Sequence, residues 1–452
     1  MKRILLGVLA IVVVGIAGFF GLKAYSTARQ TAKLDVAAVQ GTNPRIDRPS
    51  TGPIPLVNIA KPIGWASGQM PTPAAGLRVQ PFATGLDHPR WLLPLANGDV
   101  LVAETNAPPK PGETGFKHWI ENRIMGQAGA GGQSPNRITL LRDTNGDGIA
   151  DQRTVLLSGL HSPFGMALVG TTLYIADTDA LVKVPFTPGQ TRIDATPQTV
   201  AALPGGPIDH HWTKNVIASP DGTKLYVTVG SNSNVGERGM KVEQGRAAIW
   251  EIDPKTGEHR IYAYGLRNPN GMGWEPTTKQ LWTVVNERDE LGSDIVPDYL
   301  TFVQFGGFYG WPWYYWGGIP DSRPKDPDTD NLQESVIKPD YALGPHTASL
   351  GLAFADGAKL GPHFADGAFI GQHGSWNRKP ASGYKVVFVP FRAGRPVGKP
   401  VDVLTGFLDE AHMQAHGRPV GVVVDRAGGL LVADDVGNAV WRVTAAPQTA
   451  AR

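Results

Sequence analysis

Residues 265–287 read GLRNPNGMGWEPTTKQLWTVVNE, and this stretch decides the fold. A turn with Pro and Gly leads into a short apolar segment, the polar residues PTTK at 276–279 follow, and a β-rich segment ends at a polar residue. This pattern predicts two antiparallel strands joined by a hairpin. The chain continues into NERDEL at 286–291 and GGFYGWP at 306–312, so cations, amides and carboxylates lie beside tight turns. Such a mixture suits an anionic ligand held next to a divalent cation.

The same turn-strand-hairpin-strand unit recurs along the chain. Five further copies begin at Gly85, Gly159, His210, Ser349 and Gly417. The second strand of each of the six units ends in a polar residue or glycine: Glu104, Asp177, Gly230, Asn286, Gln372 and Asp434. Six units predict an all-β, six-bladed β-propeller over residues 76–446, because paired β-sandwiches do not account for six recurrences. Equivalent strand ends of a propeller meet on one face, so we expect the residues that head the units to converge there.

Composition excludes several classes of protein. The chain has 452 residues with 56 Gly and 38 Pro, which favours many turns over long helices. The net charge of +2 offers no bulk attraction to nucleic acid, and zero cysteine excludes disulfides and thiol chemistry. No phosphate-binding loop, zinc spacing or GxSxG motif occurs, so nucleotide, zinc and serine-hydrolase functions find no support.

The N-terminus carries a targeting signal. Lys2 and Arg3 precede an apolar run at 4–22, which as a helix spans about 28 Å, close to a bilayer core. Residues 1–22 are therefore predicted to anchor the chain in the inner membrane, a cleaved signal peptide and a buried core helix being the alternatives. The basic residues place the body in the periplasm. Residues 23–75 are predicted to be a Pro/Gly-rich linker and 447–452 a short tail.

His210 and His211 head the third unit. A histidine with a pKa near about 6.5 is the natural general base for a hydroxyl proton. Asp209 or another acid is its expected orienting partner. The structural alternative is a pair of loop histidines that bond to the backbone.

Several cations head other units. Arg267 and Asn268 offer a guanidinium fork and an amide, while Arg378 and Arg418 occupy equivalent ends. Such a fork suits a carboxylate, and the convergence predicts a multiply anionic small molecule. A salt bridge from loop to blade is the structural alternative for Arg267.

The turn at 286–290 supplies possible metal ligands. Its residues are Asn286, Glu287, Arg288, Asp289 and Glu290. Oxygen-rich, sulfur-free sets suit Ca²⁺, with backbone carbonyls completing the shell. A solvated charge cluster is the alternative.

A second calcium-like element is DTNGDGIAD at 143–151. Its acidic and amide residues, Asp143, Asn145, Asp147 and Asp151, partly follow the EF-hand loop. Thr154 stands where that loop carries glutamate. A surface Ca²⁺ site and a plain Asp/Gly turn both fit.

The combined motifs resemble a known family. They are HHWTKNVIASPDG, YGLRNPNGMGWEP, NERDEL, GGFYGWP, GQHGSWNR and HGRPVGV. Over roughly 76–446 the chain resembles the pyrroloquinoline quinone (PQQ)-dependent glucose/sorbosone dehydrogenases, and most of all their membrane-bound L-sorbosone dehydrogenase branch.

The resemblance implies PQQ over the channel mouth, with Ca²⁺ at its quinone edge. His211 matches the catalytic base, and Glu287 with Arg288 matches the stretch that reaches the metal. The matches to cofactor contacts are Arg267, Asn268, Asn286, Asp289, Arg378 and Arg418. Two positions depart from the family: Ser231 replaces the aspartate that orients the base, and Val420 replaces a second basic residue.

The implied function is that of a periplasmic, membrane-anchored quinoprotein dehydrogenase. Its substrate would be an aldose or a sorbosone-like sugar aldehyde, and its electron acceptor a quinone or a cytochrome. PQQ has three carboxylates, which accounts for the arginines. Two other classes stay open: a Ca²⁺-dependent lactonase or hydrolase, and a non-catalytic binding propeller.

Overall fold

Most of the regular structure in the described part of the protein is β. The structure is a computed structural model that describes residues 2–109, 126 and 132–447, so 448–452 of the predicted tail lie outside the described residues. Within the described part, one long helix, α1, covers Lys2–Gln30. The short 3₁₀ helices of that part are Val36–Val39, Met240–Glu243, Leu332–Ser335 and Pro362–Phe364.

The six predicted units lie in six antiparallel sheets of the described chain, here numbered I to VI. They are preceded by β1 (Lys61–Pro62), β2 (Thr72–Pro73) and β3 (Leu77–Thr84). Sheet I contains β4 (Pro89–Pro94), β5 (Val100–Glu104), β6 (Arg137–Arg142) and β7 (Gln152–Ser158). Sheet II contains β8 (Met166–Val169), β9 (Thr172–Ala176), β10 (Ala180–Pro185) and β11 (Gln198–Ala202). Sheet III contains β12 (Val216–Ala218), β13 (Leu225–Val229), β14 (Ala248–Ile252) and β15 (His259–Tyr264).

The other three sheets carry insertions. Sheet IV contains β16 (Pro269–Trp274), β17 (Leu281–Val285), β18 (Pro297–Phe302) and, after the hairpin β19 (Tyr314–Tyr315) and β20 (Ile319–Pro320), β21 (Tyr341–Pro345). Sheet V contains β22 (Ser349–Phe354), β23 (Gly367–Gln372), β24 (Lys385–Arg392), β26 (Val401–Thr405) and β2, with β25 (Arg395–Pro396) beside β24. A small sheet joins β1 to β27 (Leu408–Asp409) and β28 (Gln414–Ala415). Sheet VI contains β29 (Pro419–Val424), β30 (Leu430–Asp434), β31 (Ala439–Ala445) and β3.

The first strands of the six sheets form a closed ring. Each contacts the first strand of the next sheet, and β29 returns to contact β4. Glycine within these first strands permits this approach: a Cβ on Gly271 in β16 would lie 2.6 Å from the backbone N of Leu352, and one on Gly421 in β29 2.8 Å from the carbonyl of Arg90. Apolar side chains such as Trp282, Leu352 and Ile370 fill the interfaces between neighbouring sheets. The protein is therefore a β-propeller.

Strand pairing brings the heads of the units to one face. The start of the first strand pairs with the end of the second strand, as Ser349 with Gln372 in sheet V and Pro419 with Asp434 in sheet VI. We call the face that carries these strand ends the site face.

Both ends of the propeller chain build sheet VI. Strand β3 runs antiparallel to β31 from the pair Leu77–Ala445 to the pair Thr84–Ala439. The ring is thus closed by hydrogen bonds between an N-terminal and a C-terminal strand.

Residues 31–69 lie against loops of the site face, and we call them the docked segment. The N–H of Ser50 donates to the carbonyl of Leu291, and that of Lys61 to the carbonyl of Met413. The indole N–H of Trp65 donates to Asp434 at 2.7 Å. This part of the predicted linker is hydrogen-bonded to the propeller rather than separate from it.

Helix α1 covers the segment predicted as a membrane anchor and continues eight residues beyond it, to Gln30. A search of the helices in the described part of the chain found none with the length and apolarity that crossing a membrane requires.

Candidate functional site

His211 lies in the loop before β12, with its ring fixed by Ser231. Its Nδ1 is 2.9 Å from the Ser231 carbonyl and 3.0 Å from the Ser231 hydroxyl. A carbonyl can only accept, and the hydroxyl donates to the Ser233 carbonyl at 2.7 Å. The proton of a neutral imidazole therefore belongs on Nδ1, which leaves Nε2 with a free lone pair.

The surroundings of His211 keep the ring neutral. Burial lowers its pKa well below the ordinary value, and the neighbouring charges of Arg267, His210 and Arg246 lower it further. The carbonyl of Ser231 opposes this shift without reversing it. An unprotonated Nε2 is the state that a general base requires.

Asp209, the acid expected to orient His211, is instead bonded to other side chains. Its carboxylate accepts from Arg246 at 2.9 Å, from the buried ammonium of Lys214 at 3.4 Å and from the hydroxyl of Thr178. Ser231 therefore takes the orienting place that an acid was expected to fill.

Gly230 lets His211 and Asn268 come together. A Cβ on Gly230 would lie 2.5 Å from the Cβ of His211 and even closer to the amide oxygen of Asn268. Any side chain here would push the histidine and the amide apart. Because Gly230 has no side chain, His211 and Asn268, which head different units, can lie close together.

The pH dependence of turnover should reflect the lowered pKa of His211. Because the ring is neutral when its pKa lies below the working pH, we expect kcat/KM to stay constant well below pH 6.5 before it falls with protonation. A pH–rate profile measures this. A fall in kcat/KM centred at or above pH 6.5 would contradict the buried, neutral state of the ring.

Arg267 is not an open fork in this structure. Its guanidinium donates to the carbonyls of Asn234 (3.0 Å) and Glu287 (2.7 Å) and pairs with Asp289 at 3.1 Å. This arrangement is the loop-to-blade bridge that the sequence left as the alternative. The adjacent Asn268 is different, because its buried amide oxygen has no partner.

The turn at 286–290 is tied together internally. The carboxylate of Glu287 pairs with Arg288 at 2.9 Å, and Arg288 also pairs with Asp321 at 3.2 Å. Arg288 further donates to the carbonyls of Pro312 and Tyr314, so this turn holds the GGFYGWP segment. Across the described residues, no group of three or more His, Asp or Glu side chains is arranged to hold a metal. Calcium ligation by Glu287 and Arg288 stays a prediction.

Asp289 is the electrostatic centre of this turn. It accepts from Arg267, from the amide of Asn377 at 2.8 Å and from Nδ1 of His346 at 3.4 Å. Burial alone would raise the pKa of Asp289, but Arg267 and His346 outweigh it and hold this pKa far below the ordinary value. His346 also donates from Nε2 to the Gly292 carbonyl, and with two acceptors its pKa is raised despite burial.

Asn286 and Arg378, two other residues predicted to contact the cofactor, also form hydrogen bonds within the protein. Asn286 donates to the Ser349 carbonyl at 2.9 Å. Arg378 is buried and donates to the carbonyls of Ser293 (2.9 Å) and Pro380 (2.8 Å). Both residues therefore join loops of the site face.

Arg418 belongs to a cluster that sequence reasoning only partly found. Asp435 accepts from Arg90 at 2.7 Å and from His373 at 2.9 Å, with His88 at 3.8 Å. Burial, together with nearby Arg418 and Arg90, lowers the pKa of His373 to about 4, although Asp435 opposes this shift. Arg90, His373 and Asp435 were missed, although Arg90 follows the His88 turn that heads the first unit.

Unsatisfied buried polar atoms concentrate on the site face. Some buried side-chain N and O atoms of the described residues have no hydrogen-bond partner. Most of them lie at the strand ends that form the site face or in the loops next to those ends. They belong to Arg90, Asp177, Asn232, Asn268, Gln372, Asn377, Arg418 and Asp435. Buried polar groups are normally paired, so this face is built for a polar ligand.

The loop at 143–151 makes the contacts of an Asp/Gly turn. The carboxylate of Asp143 accepts the N–H groups of Gly146 and Gly148, and that of Asp151 accepts from Thr144. Asn145 accepts the N–H of Asp147 at 3.0 Å. These contacts join β6 to β7 far from the unit heads, and a second Ca²⁺ site here stays a prediction.

Comparison with known proteins gives one family match and several relatives. The TrAA12-like family model matches residues 133–297 and 321–446, more than half of the chain. A PQQ-dependent pyranose dehydrogenase of Coprinopsis cinerea is 26% identical over 317 residues, which cover 57% of this chain and 42% of that protein. The holo PQQ domain of pyranose dehydrogenase from Coprinopsis cinerea has a TM-score of 0.65 at 21% identity, over 85% of this chain and all of that one. A calcium structure of an AA12-family enzyme from Trichoderma reesei has a TM-score of 0.66 at 20% identity, over 83% and 97%.

The family match and the fold agree on one class of protein. The chain belongs to the TrAA12-like family of PQQ-dependent sugar dehydrogenases, which confirms the resemblance to PQQ-dependent sugar dehydrogenases drawn from the motifs. Its assignment to the L-sorbosone dehydrogenase branch stays a prediction. The aligned region is less than half of the curated pyranose dehydrogenase, and the activity of the whole protein is therefore treated as a proposal.

Proposed function

We propose that this protein oxidises an aldose or a sorbosone-like sugar aldehyde with PQQ bound on the site face. The observation that carries the proposal is the concentration of unpartnered buried polar atoms there, next to the neutral base His211. The relatives named for PQQ and for sugar oxidation support the same conclusion. The six sheets are proposed to be the blades of a six-bladed propeller around this site.

The residues of the chain account for the proton chemistry. Ser231 holds the Nδ1–H of His211, so Nε2 is free to take the proton of a substrate hydroxyl or of an aldehyde hydrate. Arg267 and Arg246 then oppose the positive charge on the ring and favour release of that proton. The bound quinone supplies a two-electron acceptor for the hydride that leaves the substrate carbon.

The donor set of the site face fits PQQ. Arg90 and Arg418 each keep a buried, unpartnered Nε–H, and Asn268 keeps an unpartnered amide oxygen. Cationic donors match carboxylates, while an amide oxygen can accept from a ring N–H or bind a cation. A calcium ion beside the cofactor is part of the proposal and finds support in the calcium structure of the Trichoderma reesei relative.

Reconstitution tests the function. Purified protein with added PQQ and Ca²⁺ is expected to reduce an artificial dye when an aldose or sugar aldehyde is present, and the cofactor absorbance should bleach on substrate addition. Chelation of the metal should abolish both signals. No dye reduction with any such substrate would overturn the proposal, and lactone hydrolysis without PQQ would instead favour a hydrolase.

The sequence supports a proposal for the cellular location of the protein and for its electron acceptor. The basic residues before the apolar run at 4–22 support a body outside the cytoplasm, in the periplasm, with residues 1–22 as its tether. A quinone or a cytochrome of that compartment would then reoxidise the cofactor. Fractionation of cells and detection of the full chain in membranes test the location and the tether together.

A further inference from the structure

Two of the three arginines that the sequence assigned to the cofactor, Arg267 and Arg378, already donate their hydrogen bonds to protein oxygens. All three guanidinium nitrogens of Arg267 donate to protein oxygens, one of them on Asp289. Arg378 has a side chain that is 1% exposed and donates to two carbonyls. Binding a carboxylate through either residue would require existing hydrogen bonds to break.

Arg90 and Arg418 differ from that pair. Each has a buried Nε–H without an acceptor. The guanidinium of Arg418 donates to the hydroxyl of Tyr384 at 2.7 Å and lies over its ring. In the part of the chain that the structure describes, no carboxylate pairs with the Arg418 side chain. A buried guanidinium normally has a counter-ion, so a negative charge is missing from this place.

In the cluster of Arg90, Arg418, His373 and Asp435, permanent positive charge exceeds negative charge. Asp435 is the carboxylate that meets Arg90, and it also meets His373. Burial lowers the pKa of both His88 and His373, so these rings add no permanent charge. Two guanidinium groups thus face one carboxylate.

We propose that Arg90 joins Arg418, which the motifs already assign to the cofactor, and that these two arginines rather than Arg267 and Arg378 bind its carboxylate groups. This inference rests on the proposed function. It adds a residue from the first unit, outside the matched family region, to the cofactor site.

The position of Arg90 agrees with this role. Its guanidinium carbon lies 5.6 Å from the ring of Trp212 and 5.8 Å from that of Phe164. Trp212 follows His211 directly, so the cationic cluster is adjacent to the base. Aromatic stacking holds the guanidinium plane and leaves its N–H edge for a planar carboxylate.

Equilibrium binding of PQQ, followed by quenching of tryptophan fluorescence, tests the inference without turnover. Arg90→Gln should weaken the Kd about tenfold or more, the size expected for one lost charge-assisted hydrogen bond. Arg442→Gln is the matched control, because Arg442 and its partner Asp425 are each 12% exposed and pair at 2.6 Å in sheet VI. That variant should bind like the parent protein.

A double variant distinguishes the loss of a cofactor contact from damage to the fold. Arg90→Gln leaves the buried Asp435 without its guanidinium partner. The double variant Arg90→Gln with Asp435→Asn removes both charges, and it too should bind at least about tenfold more weakly. Binding within twofold of the parent by a folded variant would overturn the inference while the proposed function stands. Failure of the parent protein to bind PQQ would instead overturn the proposed function.

Discussion

Replacing His211 by Ala is expected to lower turnover by a factor of about 10² to 10⁴, the usual contribution of a general base. The neutral Nε2 disappears with the ring, and with it the group proposed to take the hydroxyl proton. The Ser231 carbonyl and hydroxyl that hold Nδ1 would be left without that donor. Steady-state kinetics of the protein loaded with PQQ measure the loss.

Binding should separate this effect from a general collapse of the site. The Kd for PQQ is expected to change little in His211→Ala, because the proposed carboxylate contacts lie on Arg90 and Arg418. His412→Ala is the control, since that side chain is 70% exposed and pairs with Asp409 on the surface. Turnover by His211→Ala within a few-fold of the parent would reject the residue as the base.

Replacing Asp289 by Ala is expected to cost about 3–5 kcal/mol of unfolding free energy. The carboxylate is the counter-ion of Arg267 and of His346, both almost fully buried. Its removal leaves the buried guanidinium of Arg267 without its ion-pair partner and takes one of two nearby carboxylates from His346. It also frees the amide of Asn377. Urea unfolding monitored by fluorescence measures the change.

Acid should reduce the difference between the parent protein and Asp289→Ala. The folded-state pKa of Asp289 lies below the unfolded value, so its stabilisation is complete above about pH 4 and is lost as the pH falls toward the folded value. Asp402→Ala is the control, because its pair with Lys385 is exposed and should contribute at most about 1 kcal/mol. Equal losses in the two variants would contradict the central place of Asp289.

The strand pattern was predictable because it repeats. Each quoted unit supplies the first two strands of one sheet, and the polar residue ending the second strand pairs with the start of the first, as Gln372 does with Ser349. Periodicity and turn residues are local signals, and the glycines that admit a neighbouring strand are part of the same motif. The convergence of the unit heads followed from these signals.

The partners of each charge were not predictable in the same way. Whether Arg267 faces a ligand or Asp289 depends on where two loops meet, and no spacing in the sequence encodes that distance. The cluster of Arg90, His373 and Asp435 draws on three sheets, and His373 resembles any polar residue after a strand. Ser231 was recognised as a departure from the family, but its carbonyl contact with His211 is a backbone property that the side-chain identity does not reveal.

The pairing of β3 with β31 has a consequence for biogenesis. Sheet VI cannot form until residues 439–445 have been synthesised, because its outer strand was made some 360 residues earlier. A nascent chain would therefore emerge with an open row of sheets and an unpaired β3. Such a chain cannot close its ring before β31 is available to pair with β3. Deleting the last strand should then trap a proteolysis-sensitive, open form, whereas a cut within a hairpin of sheet III would not delay closure.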